Sequence, residues 1–277
     1  MFPYYLCRWW NIFIDKKMSK LILQNKISDY IIELTLNRPE KLNALTKPMW
    51  KELGSVFKKL SNNKNLRCII IRGKGEKSFS PGNDIGEFEL ERSNSKQSKD
   101  YGKFLHSTLE VILNCPIPTV ALIEGICVGG GLEIASCCDI RVCGKSSRFG
   151  VPINRLGLTM APREMQPLIN LVGKSVALEI LLEGKIFDSA EALQKGLVSK
   201  IVPDREVEKE AYETSQRIAD GAPLVARWHK KFAKKISNNE KIKDKLNDQG
   251  YECYDTEDFN IGYKSFLNKT KPKFKNK

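Results

Sequence analysis

Histidine is scarce in this chain: His106 and His229 are the only two among 277 residues. That leaves few ways to build a histidine-based triad or metal site, and both read as helix-surface or internally satisfied residues. No apolar run approaches the ~20 residues that a membrane-spanning helix needs. No G-x-S-x-G elbow occurs, and no G-x-G-x-x-G follows a strand. Gly173-Lys174-Ser175 resembles the end of a phosphate-binding loop, but that motif needs an earlier glycine where position 168 is Leu. The eight cysteines lack paired C-x-x-C spacing. Cys127, Cys137, Cys138 and Cys143 lie in apolar segments and read as buried small hydrophobes rather than zinc ligands. Unstapled thiols in a chain of this size point to a reducing compartment, the cytoplasm.

The composition, 41% hydrophobic and 29% charged with 19 Gly and 12 Pro, suffices for one large core and excludes disorder and disulfide scaffolds. The net charge of +13 sits at the periphery. Residues 1–20 carry +3, 227–245 carry +6 and 264–277 carry +6, leaving −2 for the remainder. Such an excess suits solubility, an anionic surface or a phosphate-bearing ligand, and it gives no basic groove through the body for nucleic acid.

Residues 1–17 are aromatic and apolar but lack the basic start and small-residue cleavage pattern of a secretion signal. Met18 offers an alternative start, so 1–19 read as an extension outside the fold. From there strands and helices alternate: strands are expected over 30–36, 67–72, 118–123, 140–143 and 148–150, and helices over 46–60, 100–113 and 130–138. Helical segments near 162–172, 174–183 and 188–195, a strand over 197–202 and an almost wholly helical last third complete the pattern. This predicts an α/β core over 20–203 with a helical C-terminal region over 204–277.

Two glycine-bearing turns stand where a strand gives way to a helix: Phe79-Ser80-Pro81-Gly82-Asn83-Asp84-Ile85, and Gly125 through Glu133 with three successive glycines at 129–131. Glycines let backbone approach a ligand closely, and the unpaired N–H groups of a helix start face outward as donors for developing negative charge. Tight strand–helix packing would also explain them. Glu133 lies about one turn beyond Gly130 in an otherwise apolar stretch, where a carboxyl must be paired or functional because burying it alone is expensive. Burial would raise its pKa and the helix N-terminus would lower it.

Taken together with Asn37-Arg38-Pro39-x-x-x-Asn43-Ala44, Pro118-x-x-Ala121, Cys138-Asp139, Phe149-Gly150-x-Pro152, Gly157 and Gly196-Leu197-Val198, these turns resemble the enoyl-CoA hydratase/isomerase (crotonase) family over roughly residues 27–275. The resemblance implies a crotonase-like spiral of ββα units with C-terminal helices that pack into trimers or hexamers, and an acyl-CoA thioester as substrate. It places the thioester carbonyl on two backbone N–H groups, at Asn83 and Gly130, where an enolate is stabilised. It also implies CoA contacts around Leu42, Ala44, Gly82, Asn83, Asp84, Ile85 and Gly129, and puts Lys264, Lys269 and Lys271 forward for the nucleotide phosphates. No metal or redox cofactor is implied, since coenzyme A is part of the substrate.

The pattern breaks at one place. A family hydratase uses two glutamates; the first corresponds to Glu133, while the second falls on Ile153, which cannot move a proton. The glycine-rich stretch that follows is replaced by Thr159-Met160-Ala161-Pro162-Arg163-Glu164-Met165, reshaping the acyl end of the pocket. Either Glu133 works alone, or a neighbouring acid substitutes, for which Glu164 is the available carboxyl; its plainer role is that of an early-helix acid. The expected activity is hydration of a 2-enoyl-CoA, with isomerisation, decarboxylation or thioester hydrolysis as alternatives. A non-catalytic protein using its Lys-rich last third to bind RNA or an acidic partner is the remaining one.

Overall fold

The computed structural model describes residues 20–237 and 242–277; the extension over 1–19 lies outside them. In chain order the elements are β1 (Ile22–Lys26), β2 (Ile31–Leu36), α1 (Lys47–Ser61), β3 (Cys68–Gly73), β4 (Ser78–Ser80), α2 (Phe88–Glu91), α3 (Ser95–Leu113), β5 (Thr119–Ile123) and β6 (Ile126–Val128). Then come α4 (Gly130–Cys137), β7 (Ile140–Gly144), β8 (Arg148–Gly150), α5 (Pro162–Glu183), β9 (Phe187–Asp188), α6 (Ser189–Gln194) and β10 (Lys200–Val202). Four helices close the chain: α7 (Val207–Asp220), α8 (Pro223–Ser237), α9 (Asp244–Asp248) and α10 (Glu257–Leu267).

Two sheets, in the orders β1-β2-β3-β5-β7-β10 and β4-β6-β8-β9, are wound together. Each turn of the spiral lays one strand in the first sheet, crosses to the second and leaves through a helix or helical turn. Because β4, β6 and β8 are parallel neighbours, their exits lie side by side. Three segments distant in sequence, 81–85, 129–133 and 152–156, are thereby aligned at one edge, as the C-terminal ends of parallel strands commonly are.

Strand β3 shows why its Cys-Ile-Ile-Ile run is apolar without a break. Ile69 and Ile71 face the main core with Trp50, Phe57, Leu105 and Ile134, whereas Cys68 and Ile70 face a second cluster with Val120, Leu122, Val207 and Ala211. Both faces are covered, so the period-2 alternation separates two cores rather than core from solvent. Thr46 caps α1 by accepting the Met49 N–H, with Pro48 in the first turn, as its sequence predicts. Helix α3 begins at Ser95, earlier than its apolar periodicity indicates, because Asn94 accepts the Gln97 N–H and nucleates a polar first turn.

Helix α5 is long and apolar enough, by length and composition alone, to cross a membrane. It is broken at Gly173, whose φ of 78° and ψ of 162° are not helical, and it packs across α4 and α3 through Leu168, Ala177 and Ile180.

Candidate active site

Helix α4 is buried along its whole length. Its two ends are treated oppositely. At the C-terminal end the guanidinium of Arg141 donates to the carbonyls of Ala135 and Cys138, at 3.3 and 2.6 Å, which places a cation where the helix presents unsatisfied acceptors. At the N-terminal end the Gly130 N–H has no acceptor among the described residues. The Asn83 N–H has none either, although the amides on both sides of Asn83 are engaged: Gly82 N–H by Ser80 Oγ and Asp84 N–H by the Leu45 carbonyl.

The two free donors come from turns in contact. A Cβ added to Gly82 would lie 2.8 Å from the Gly130 nitrogen, and one added to Gly130 would meet Gly82 Cα at 3.4 Å. Each donor follows a glycine in left-handed conformation, Gly82 at φ 101° and Gly129 at φ 51°, which turns the next amide out of the strand direction. The third glycine answers to packing: a Cβ on Gly131 would lie 2.3 Å from the Ser80 carbonyl oxygen. The glycine run thus serves packing at 131 and leaves a backbone N–H without an acceptor at 130.

Supports around these turns are side chains that the sequence motifs carry without announcing their use. Trp50 Nε1 donates to Asn83 Oδ1 at 2.7 Å. Arg38 donates to Asp84 at 2.5 Å and to the Ala44 carbonyl at 3.2 Å, and this guanidinium holds the Asp84 carboxyl below the usual carboxylate range. Asn43 donates to the Ser78 carbonyl at 2.7 Å. A parallel bridge joins Leu45 to Asn83, so the segment at 42–45 runs along the first turn. Leu42 and Ile85 stand exposed on this edge, an apolar pair flanking the backbone.

Glu133 projects from the first turn of α4 and is only 6% exposed; its Oε2 is buried with no hydrogen-bond partner. Burial, chiefly, and the neighbouring Glu164 carboxyl push its pKa up to about 8, against a smaller opposing pull from Arg92. Glu164 thus comes to the same place, brought there by α5 crossing α4. One of its oxygens accepts the Ala161 N–H at 3.1 Å, the early-helix role, while the other lies 2.7 Å from His106 Nε2. His106 is satisfied, as expected, but by an acid beside Glu133. Glu164 and His106 line a cavity of about 610 Å³ between α3, the turn at 157–159 and the start of α5. Ile153 is half-buried against the core and does not line that cavity.

The lysines put forward for phosphates form no hydrogen bond or ion pair with these turns among the described residues. Lys271 pairs with Asp220 at 2.6 Å, and Lys264 and Lys269 are exposed. Beyond α10 the tail is tied down by Arg67, which donates to the Phe274 carbonyl at the start of β3, the end opposite to the one leading into β4 and Asn83. Among the described residues no cluster of three or more His, Cys, Asp or Glu side chains could hold a metal ion.

Two backbone N–H groups without acceptors, on turns in contact and beside a buried acid, form an arrangement suited to polarise a carbonyl and to move a proton next to it. The enoyl-CoA hydratase/isomerase family model matches residues 26–277. A crystal structure of an enoyl-CoA hydratase/carnithine racemase from Magnetospirillum magneticum superposes with a TM-score of 0.91 at 42% identity, covering 93% of this chain and 96% of that one. The short-chain-enoyl-CoA hydratase of Clostridium acetobutylicum is 32% identical over 94% of this chain and 100% of its own. The mitochondrial Delta(3,5)-Delta(2,4)-dienoyl-CoA isomerase of Dictyostelium discoideum is 29% identical over 92% of this chain and 91% of its own. The chain belongs to the enoyl-CoA hydratase/isomerase family and has the crotonase fold.

Proposed function

We propose that this enzyme adds water to a 2-enoyl-CoA, with Glu164 standing in for the acid that Ile153 replaces. The observation that carries this reading is the pairing of a buried, unpartnered Glu133 with a Glu164 whose two oxygens are held by the Ala161 N–H and His106. The thioester oxygen sits between the Asn83 and Gly130 N–H groups. Water attacks the β-carbon and gives its proton to Glu164; the electron pair of the double bond moves toward the carbonyl as an enolate; Glu133, protonated at neutral pH, delivers its proton to the α-carbon. One water is consumed, and Glu164 returns a proton to Glu133 before the next turnover. Environments that treat two carboxyls differently assign them separate tasks. A hole of two amides is worth several kcal/mol, since removal of one such donor costs about 3–4 kcal/mol of barrier.

The CoA moiety is proposed to lie along 42–45 and 82–85, where Leu42 and Ile85 supply apolar contact. Phosphate contact by Lys264 or Lys269 would have to come from a second copy. Assembly as a homotrimer or hexamer is supported by large apolar side chains left open in one chain, Leu182 on α5 at 73% and Phe266 on α10 at 84%. The absence of disulfides among the described cysteines supports a reducing compartment such as the cytoplasm. The chemistry calls for no cofactor beyond the substrate's CoA.

Ile153 favours a second reading, isomerisation, in which Glu133 alone carries a proton between two carbons. Incubation with crotonyl-CoA and, separately, its β,γ-isomer distinguishes them. Loss of the conjugated thioester absorbance with the first is the expected result. A rise in that absorbance with the second, without hydration, would replace hydratase by isomerase.

A further inference from the structure

Arg92 presents an unpaired cation to the cavity that holds Glu164. Its guanidinium lies over the rings of Phe88 and Tyr101, 4.6 and 4.9 Å from their centroids, so its direction is fixed by packing. No carboxylate among the described residues pairs with it. Of the acids nearest in sequence, Glu87 accepts from Tyr101 Oη at 3.0 Å and from the Lys47 N–H at 2.9 Å, Glu91 binds Lys47 Nζ at 2.5 Å, and Glu89 stands exposed on the same short helix without forming an ion pair with Arg92. Within the cavity wall, Glu164 is taken by Ala161 and His106, Lys103 is paired with Asp100, Glu110 adds one exposed carboxyl a helical turn beyond His106, and Lys99 and Arg163 add positive charge beside Arg92. Arg92 lines the same cavity as Glu164, the carboxyl that neighbours Glu133.

We propose that this cavity takes an acyl group ending in a carboxylate, with Arg92 as the partner of that carboxylate. The inference rests on the acyl-CoA reading above and names its substrate class: the monothioester of a short dicarboxylic acid. A neutral acyl tail would strip water from the guanidinium face and return nothing, whereas a carboxylate matches its planar fork.

The test is calorimetric titration of the full-length enzyme with glutaryl-CoA and pentanoyl-CoA, which share a five-carbon acyl chain and, being saturated, do not react. The native enzyme should bind glutaryl-CoA about tenfold more tightly or better, as a charge-assisted pair requires. Arg92→Gln should bring the two affinities together, and Arg92→Lys should keep part of the preference. Equal binding of both by the native enzyme, or a preference unchanged in Arg92→Gln, would overturn the carboxylate assignment and leave the acyl-CoA reading standing. Failure of both thioesters to bind would overturn the two together. Should Arg92→Gln not fold, the native ratio decides alone.

Discussion

Exchange of Glu133 for glutamine should stabilise the fold, and by an amount that depends on pH. The carboxyl is 6% exposed and its pKa is raised from 4.5 to about 8, first by desolvation and then by Glu164. A folded state that holds a proton more tightly than the unfolded chain has its full stability below the unfolded carboxyl's pKa and loses it as pH rises toward the folded value. At about 1.4 kcal/mol per tenfold in proton affinity, the loss is ~1 kcal/mol at pH 5 and ~4 kcal/mol at pH 7.5, levelling off above pH 8. Glutamine has the same shape and does not titrate. Urea unfolding of native enzyme and Glu133→Gln at pH 5 and 7.5, at one chain concentration because assembly shifts apparent stability, should show the gap between them widening by about 3 kcal/mol. A gap of the same size at both pH values would refute the burial of an ionisable Glu133. Turnover should be lost in the same variant while CoA-ester binding persists, the trade expected when a destabilising buried carboxyl is kept for its chemistry.

Further outcomes follow from the same contacts. Glu164→Gln should lower kcat by about 10²–10⁴ with binding of a saturated acyl-CoA retained; unchanged kcat would return Glu164 to a capping role only. Trp50→Phe removes the donor to Asn83 Oδ1 together with part of a fully buried ring, and should lower kcat/KM a fewfold, about 1 kcal/mol of barrier from the lost hydrogen bond, with a lower thermal midpoint from the cavity. Gly131→Ala forces a Cβ toward the Ser80 carbonyl and should lower the thermal midpoint by several degrees in a melting scan. Activity should fall as pH rises through about 8, where Glu133 loses the proton it donates; a pH–rate profile flat through that region would contradict its role as the acid.

The alternation of strands and helices was legible because β3 and β5 are short, apolar and bounded by turns, and the positions of both glycine turns were legible because strand exits need left-handed residues. What the chain order hid was lateral. Glu133 and Glu164 are far apart in sequence, and only the crossing of α5 over α4 makes them neighbours. His106, read as a satisfied residue, gave no sign that its partner would be that acid. Trp50 sits on the buried stripe of an amphipathic helix, where an indole reads as core, and its N–H direction toward Asn83 depends on the turn beside it. Arg141 follows a Cys-Asp pair, with nothing in its surroundings to signal that it closes the C-terminal end of the oxyanion helix. The C-terminal lysines are put forward by the family resemblance, and within one chain Lys271 is paired with Asp220 while Lys264 and Lys269 stand exposed.

The account turns on where a thioester oxygen sits, and a crystal structure with a bound unreactive acyl-CoA measures that directly. The oxygen should lie about 3 Å from both the Asn83 and Gly130 nitrogens, with the Glu133 and Glu164 carboxyls facing the α- and β-carbons. A thioester bound away from those two amides, or one with neither carboxyl facing the acyl carbons, would contradict it.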